Sequence, residues 1–161
     1  MNLRPLSLIA GLLLLAACAQ NPSTNASAGG GGQATAPAAS SVSPGSSQDF
    51  VQNVGDRVFF DFDKSAIKPE GRTTLQRQSE WLKKYPNVTV TIEGHCDERG
   101  TREYNLALGE RRATAVRNAL VALGIAPNRI KTISYGKERP AVLGSNEAAW
   151  AQNRRGVTVI N

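Results

Sequence analysis

The sequence predicts an α/β fold, a two-layer sandwich in which helices pack on one mixed four-stranded sheet, within residues 49–161. Segments with the period of a strand alternate there with segments with the period of a helix, in the order βαβαβαβ. Every charged residue except Arg4 lies after Gln48, so the polar surface of a folded unit is confined to this part. The 161 residues allow one domain of ordinary size.

The first three elements follow from local spacing. Val58–Phe60 is the core of a short strand. A helix is predicted over 69–85, because Pro69 suits a first helical turn and Leu75 and Leu82 fall on one face. Residues 88–92 alternate apolar and polar side chains, which is the period of a half-buried strand.

The remaining elements complete the alternation. Apolar or small residues recur every three or four positions from about Arg102, and Gly124 ends that helix. Strands are predicted over 129–135 and 157–160, with a short helix over 146–153 between them. The order of the strands in the sheet does not follow from these patterns.

Residues 1–17 have the pattern of an export signal. Arg4 precedes an apolar run over 6–17, which is shorter than the roughly 20 residues that cross a bilayer. The run ends in Leu15, Ala16, Ala17 and Cys18, which resembles the lipobox of bacterial lipoproteins and implies lipidation of Cys18; an ordinary signal peptide with a stray cysteine is the alternative. Ala19, in place of Asp, implies by the same resemblance an outer-membrane location with the domain facing the periplasm.

Residues 18–48 are predicted to be a flexible tether after the lipidated cysteine. From Ala19 to Gln48 there is no charged residue, and Gly, Pro, Ser and Ala dominate. Such a segment buries too little apolar surface to offset its chain entropy.

The densest polar cluster is the run GHCDERG at 94–100, which follows a predicted strand and precedes a helix. Ligands of α/β sheets commonly bind at the carboxyl ends of strands. Arg112 comes 15 residues after Asp97, so a loop that folds back would place a guanidinium beside a carboxylate. His95 is expected to shape this loop through a hydrogen bond, and Cys96 to fill space.

This cluster, with FFDFDKSAI at 59–67, YNL at 104–106, LGERRA at 108–113, YGKERPAVLG at 135–144 and NRR at 153–155, resembles the family of peptidoglycan-associated lipoproteins and their OmpA-like domain. The family implies noncovalent binding of the meso-diaminopimelate of the peptidoglycan stem peptide, contact with TolB and the Tol system, and a role in envelope integrity and cell division. It implies the binding residues Asp97, Arg112, Asn105, Asp63, Leu108 and Arg155. Cys96 departs from the Ala or Thr that is common in the family.

Other functional classes are weaker alternatives. Asp61 and Asp63 after a strand have the spacing of an aspartate-nucleophile phosphatase, but no acidic metal pair follows downstream. A zinc site at His95, Cys96, Asp97 and Glu98 is not expected, because adjacent side chains at the end of a strand point apart and a single His is too few. The net charge of +6 would suit nucleic acid, but the export signal opposes that partner. We therefore predict a binding protein without enzymatic activity, cofactor or metal, with an interaction-only module as a further alternative.

Overall fold

The computed structural model describes residues 42–161. The predicted signal peptide, the lipidation site Cys18 and the tether up to residue 41 lie outside the described residues. Within 42–161, no helix is both long and apolar enough to cross a membrane.

The elements follow one another in the predicted alternation, with one helical segment added at the start. They are α1 (Ser47–Asp49), which continues as a π-helical turn (Phe50–Val54), then β1 (Arg57–Phe59), α2 (Pro69–Lys84), β2 (Val90–His95), α3 (Arg102–Ala122), a 3₁₀ turn (Pro127–Arg129), β3 (Ile130–Gly136), α4 (Glu147–Asn153) and β4 (Arg155–Ile160). The predicted fold class is confirmed.

The sheet has the strand order β1-β4-β2-β3. Strands β2 and β3 are parallel, because α3 connects them and returns the chain to the same end of the sheet. The other two pairs are antiparallel, so the sheet is mixed. Val90 and Ile92 of β2 are fully buried beneath the helices, and the intervening Thr91 and Glu93 are only partly buried.

Helix starts are set by residues that the sequence already displays. Pro69 occupies the first turn of α2. The Thr101 hydroxyl accepts a hydrogen bond from the backbone N–H of Tyr104 and so caps α3. The Asn146 side chain caps α4 in the same way through the N–H of Ala149.

The helical segment before β1 was not predicted. Its residue Phe50 is fully buried and packs edge-on against Trp81 of α2, with 4.9 Å between ring centroids. Asp49 accepts a hydrogen bond of 2.9 Å from the Trp81 indole N–H. Contacts with a distant part of the chain stabilise this segment. The segment itself is too short for its apolar residues to show the period of a helix.

Helix α3 approaches β2 so closely that only glycine fits at the crossing. A Cβ atom built on Gly94 would lie 1.8 Å from the carbonyl oxygen of Gly109. A Cβ atom on Gly109 would lie 2.3 Å from Ser134 Oγ. This crossing sets the distance between the end of β2 and the first three turns of α3, where the candidate site lies.

We expect Gly94→Ala to destabilise the domain by about 3 kcal/mol or to prevent folding, because the added methyl group meets backbone that cannot move aside. Urea unfolding followed by circular dichroism measures this loss. Ala107→Ser, on the exposed side of the same helix, is the control and should change the free energy of unfolding by less than about 0.5 kcal/mol. Equal stability of Gly94→Ala and the wild type would contradict the close crossing.

Candidate ligand-binding site

A pocket of about 170 Å³ opens between the end of β2, the start of α3 and the loop that follows β1. It is smaller than the roughly 300 to 1,000 Å³ of typical small-molecule pockets, so it suits the end of a chain and not a large ring system. Its lining residues are Phe62, Asp63, Cys96, Asp97, Arg99, Gly100, Tyr104, Asn105, Leu108 and Arg112.

Arg112 reaches the pocket from α3 and is 0% exposed. Its Nε donates to the carbonyl oxygen of Lys64 at 2.8 Å, Nη1 to that of His95 at 2.7 Å and Nη2 to that of Asp61 at 3.1 Å. Three of the five guanidinium N–H groups are thus used by backbone, which leaves two for other acceptors. Burial lowers the pKa of Arg112, yet a guanidinium remains protonated at neutral pH.

Arg112 is a buried cation without a carboxylate against it. Among residues 42–161, the ion pairs do not include Arg112. Neutral carbonyl groups satisfy part of its hydrogen-bonding capacity, and Asp97, which lines the same pocket, attracts its charge without forming an ion pair with it. The two N–H groups that backbone does not use can therefore donate to an anionic group at this position.

Asp97 lies in the loop after β2 and is 4% exposed. The backbone N–H and Nε of Arg99 both donate to its Oδ1 at 3.1 Å, and Arg99 Nη2 donates to Oδ2 at 2.6 Å. Burial would raise the pKa of the Asp97 carboxyl, but the hydrogen bonds from Arg99 outweigh burial and hold the pKa below its usual range. Asp97 is therefore a carboxylate at neutral pH.

The loop that carries Asp97 is shaped by Asn105 and Gly100. The Asn105 side-chain amide donates to the carbonyl oxygens of Arg99 at 2.8 Å and Thr101 at 3.0 Å. Gly100 has a φ of 89°, which lies in the left-handed region that glycine adopts without strain. Asn105 thus both lines the pocket and holds the Asp97 loop against α3.

Asp63 and Leu108 complete the group of predicted residues that line the pocket. Asp63 sits in the loop after β1 with a φ of 54°, a conformation that Asp tolerates better than most residues. Its carboxylate accepts a hydrogen bond from the Tyr104 hydroxyl across the opening. Leu108 is buried and presents an apolar surface one helical turn before Arg112.

Arg155, the sixth predicted residue, does not line the pocket. Its guanidinium lies near other backbone, with Nη2 3.2 Å from the carbonyl oxygen of Arg139. Its neighbour Arg154 reaches the site instead, with Nη1 3.5 Å from Asp97 Oδ2. Arg154 is the C-cap residue of α4 and Arg155 is the first residue of β4, and their side chains bind different partners.

His95 and Cys96, which precede Asp97 in the chain, are both buried. The Nε2 atom of His95 lies 3.2 Å from Glu93 Oε2. Burial lowers the pKa of His95, so the imidazole is neutral at pH 7. The Cys96 thiol donates to the carbonyl oxygen of Asn105 at 3.3 Å, and burial raises the pKa of this thiol, which makes it a poor nucleophile.

Two pairs of contacts bear on the alternative functions. The Asp61 carboxylate pairs with Lys68 at 3.3 Å, whereas Asp63 accepts from Tyr104, so the two carboxylates of the phosphatase-like spacing are engaged separately. Over 42–161, no group of three or more His, Cys, Asp and Glu side chains is placed to hold a metal ion.

Comparison with known proteins identifies the family of this chain. Residues 59–154, more than half of the chain, match the model of the OmpA family. A peptidoglycan-associated lipoprotein of Agrobacterium fabrum is 53% identical over 148 residues, which are 92% of this chain and 82% of that protein. One from Brucella melitensis is 57% identical over 123 residues, 76% of this chain and 73% of that protein.

Solved structures show the same fold. A peptidoglycan-associated lipoprotein from Burkholderia pseudomallei has a TM-score of 0.64 at 46% identity, covering 66% of this chain and 90% of that chain. The C-terminal domain of Helicobacter pylori MotB has a TM-score of 0.62 at 22% identity, covering 66% and 84%. The second likeness extends to the fold alone.

A mixed sheet with helices packed on it and a charged pocket at the end of β2 therefore define an OmpA-like domain. The chain belongs to the OmpA family and, within it, to the peptidoglycan-associated lipoproteins. The family resemblance and the prediction that the chain is not an enzyme are confirmed by these relatives.

The free energy of unfolding at acid pH tests the charge state of Asp97. Its pKa in the folded chain is below the ordinary value of 3.8, so its ionised form stabilises the fold above pH 3.8 and this contribution is lost as pH falls through the lower folded pKa. We expect Asp97→Asn to be less stable at pH 7 by about 1 to 3 kcal/mol. The difference from the wild type should shrink below pH 3.8.

Urea unfolding at pH 7 and at about pH 2 to 3 measures both stabilities, and Asp61→Asn, on an exposed carboxylate, is the matched control. If Asp97→Asn loses the same free energy of unfolding at both pH values, the stabilisation by Asp97 does not come from its carboxylate charge.

Proposed function

We propose that the domain binds peptidoglycan noncovalently by holding the free end of meso-diaminopimelate in this pocket. That end carries one ammonium and one carboxylate. The observation that supports the proposal is the placement of Asp97 and Arg112, two buried and oppositely charged side chains, on the wall of one small cavity.

Arg112 is the residue proposed to bind the carboxylate of the ligand. Its guanidinium has two N–H groups that backbone does not use and no neutralising partner among the described residues. A carboxylate held by both would contribute roughly 1.5 to 3 kcal/mol for each charge-assisted bond. The three backbone contacts hold the guanidinium in place before the ligand arrives.

Asp97 is proposed to accept from the ammonium, while Asn105, Asp63 and Leu108 shape the entrance. The Asn105 amide maintains the loop, and the Asp63–Tyr104 contact forms one edge of the opening. Arg155, which the family resemblance suggests, is assigned no contact with the ligand, since it lies off the pocket wall.

Retention on purified sacculi tests this assignment. We expect Asp97→Ala and Arg112→Lys to lower the fraction of full-length protein that sediments with sacculi at least tenfold, because each removes one of the two charge-assisted contacts. Lysine is chosen at position 112 because alanine would leave three buried carbonyl groups without a donor.

Asp61→Asn is the matched control and should sediment like the wild type, since its carboxylate is exposed and pairs with Lys68. A soluble stem peptide ending in lysine lacks the second carboxylate and should compete less well than one ending in meso-diaminopimelate. Thermal unfolding establishes that each variant is folded. Normal sedimentation of both Asp97→Ala and Arg112→Lys would reject the pocket.

We further propose that Cys18 carries lipid that anchors the chain in the outer membrane, with the domain on the periplasmic side. The support is the lipobox resemblance over residues 15–18 and the membership of a lipoprotein family. Several acyl chains give stable anchoring at about 0.8 kcal/mol per buried CH₂. An anchor and a wall-binding domain in one chain would couple the outer membrane to the peptidoglycan layer.

The mass of the mature N-terminus tests the anchor. We expect a chain that begins at Cys18 and carries acyl groups, and we expect Cys18→Ser to be recovered without lipid and outside the membrane fraction. Val42→Ser, a substitution elsewhere in the same N-terminal part, is the control and should fractionate with membranes. An unmodified Cys18 in exported protein would remove the anchor from the proposal.

The proposal includes a contact with TolB and, through the Tol system, a contribution to envelope integrity and cell division. Its support is the family to which the chain belongs.

A further inference from the structure

In this structure the Asp97 carboxylate of the pocket is already bound by an arginine of the chain itself, Arg99. Arg99 lies two residues after Asp97 and binds both of its oxygens, with Nε 3.1 Å from Oδ1 and Nη2 2.6 Å from Oδ2. The backbone N–H of Arg99 adds a third bond to Oδ1 at 3.1 Å. This fork is the geometry with which a cation grips a carboxylate most strongly.

Asp97 has no acceptor site left for a second cation. A carboxylate offers about four lone-pair directions. Arg99 takes three of them, and Arg154 Nη1, 3.5 Å from Oδ2, lies at the fourth. An incoming ammonium can therefore reach Asp97 only by displacing one of these donors.

Arg99 is the donor that is able to leave. Arg154 is only 8% exposed in its side chain, and it is also bound to the Phe60 carbonyl oxygen at 3.1 Å and to Glu147 at 2.6 Å. The Arg99 side chain is 30% exposed, and Asp97 is its one carboxylate partner among the described residues. Rotation about its own side-chain bonds carries it into solvent without moving backbone.

Two aromatic rings enclose the position that the Arg99 guanidinium holds. The guanidinium carbon lies 4.0 Å from the ring centroid of Phe62 and 4.1 Å from that of Trp150. The Trp150 indole N–H donates to Glu98 at 3.0 Å and so keeps its ring in place. Aromatic faces on both sides favour a cation, whichever molecule supplies it.

We infer that Arg99 is an internal ligand of this pocket, which occupies the ammonium position at Asp97 in the free protein and is displaced by the ammonium of diaminopimelate. The inference rests on the proposed function. It makes Phe62 and Trp150 walls of the ammonium position. It also means that the measured affinity is lower than the affinity of the open site, in proportion to the fraction of molecules in which Arg99 has left.

The effect of Arg99→Ala on binding of a soluble stem peptide ending in meso-diaminopimelate tests the inference. We expect the variant of the full-length chain to bind on the order of tenfold more tightly by calorimetry, because the ligand no longer competes with an internal cation. The affinity of Arg99→Lys, which keeps the charge but loses the fork, should lie between the affinities of Arg99→Ala and the wild type. Arg102→Ala, which removes a 73% exposed arginine outside the pocket lining, corrects for the lost charge and should bind like the wild type.

Tryptophan fluorescence gives a second readout. In the wild type, saturation with peptide should change the emission of Trp150, because the cation on its face is exchanged. The change should be lost in Trp150→Phe, where Trp81 remains as the other tryptophan, and should be altered in Arg99→Ala. Circular dichroism and thermal unfolding confirm that the variants compared are folded.

The outcomes separate this inference from the proposed function. If Asp97→Ala abolishes peptide binding and Arg99→Ala, while folded, weakens it, then Arg99 supports the ligand and the competition is refuted although the pocket stands. If Asp97→Ala binds the peptide normally, the proposed site itself is wrong, and the inference fails with it. Tighter binding by Arg99→Ala together with loss in Asp97→Ala supports both.

Discussion

The buried guanidinium of Arg112 is the interaction on which the pocket depends. From α3 it bonds to the carbonyl oxygens of Asp61 and Lys64 in the loop after β1, and to that of His95 at the end of β2. One side chain therefore fixes the spacing of three segments that are far apart in sequence. Since all three acceptors are neutral, they orient the guanidinium of Arg112 without forming an ion pair with it, and two of its N–H groups remain for another acceptor.

The fold was predictable because the sequence patterns that indicate its helices and strands are local. Periodicity and capping residues placed α2, α3 and the four strands, and α3 ends where predicted, with Leu123 as its C-cap and Gly124 next to it at a φ of 95°. The segment from Ser47 to Val54 is different in kind. Its stability comes from Phe50 and Asp49 contacting Trp81, more than 30 residues away. A pattern within eight residues carries no trace of such a contact, so the sequence did not indicate this element.

The candidate site was predictable in part for the same reason. Asp97 and Arg112 belong to one loop and the helix that follows, so their spacing was enough to place them on one pocket. Arg99 was visible in the same run, but its role depends on Phe62 and Trp150, which come from the loop after β1 and from α4. The choice between Arg154 and Arg155 depends on the junction between α4 and β4, where Arg154 approaches Asp97 and Arg155 approaches the Arg139 carbonyl oxygen, and no local pattern in the sequence shows this.

The two charges of the pocket differ in their state before a ligand binds. Arg112 forms no ion pair among the described residues, whereas the Asp97 carboxylate is already paired with Arg99 and Arg154. A buried carboxylate left alone would be protonated or would disturb the loop, so an internal cation stabilises the free protein. In the proposed binding mode, the same cation opposes the ammonium of the ligand. If a zwitterion binds at Asp97 as proposed, stability of the unbound loop and affinity for the ligand act against each other there, and Arg99, whose side chain is 30% exposed, is the residue that sets the balance between them.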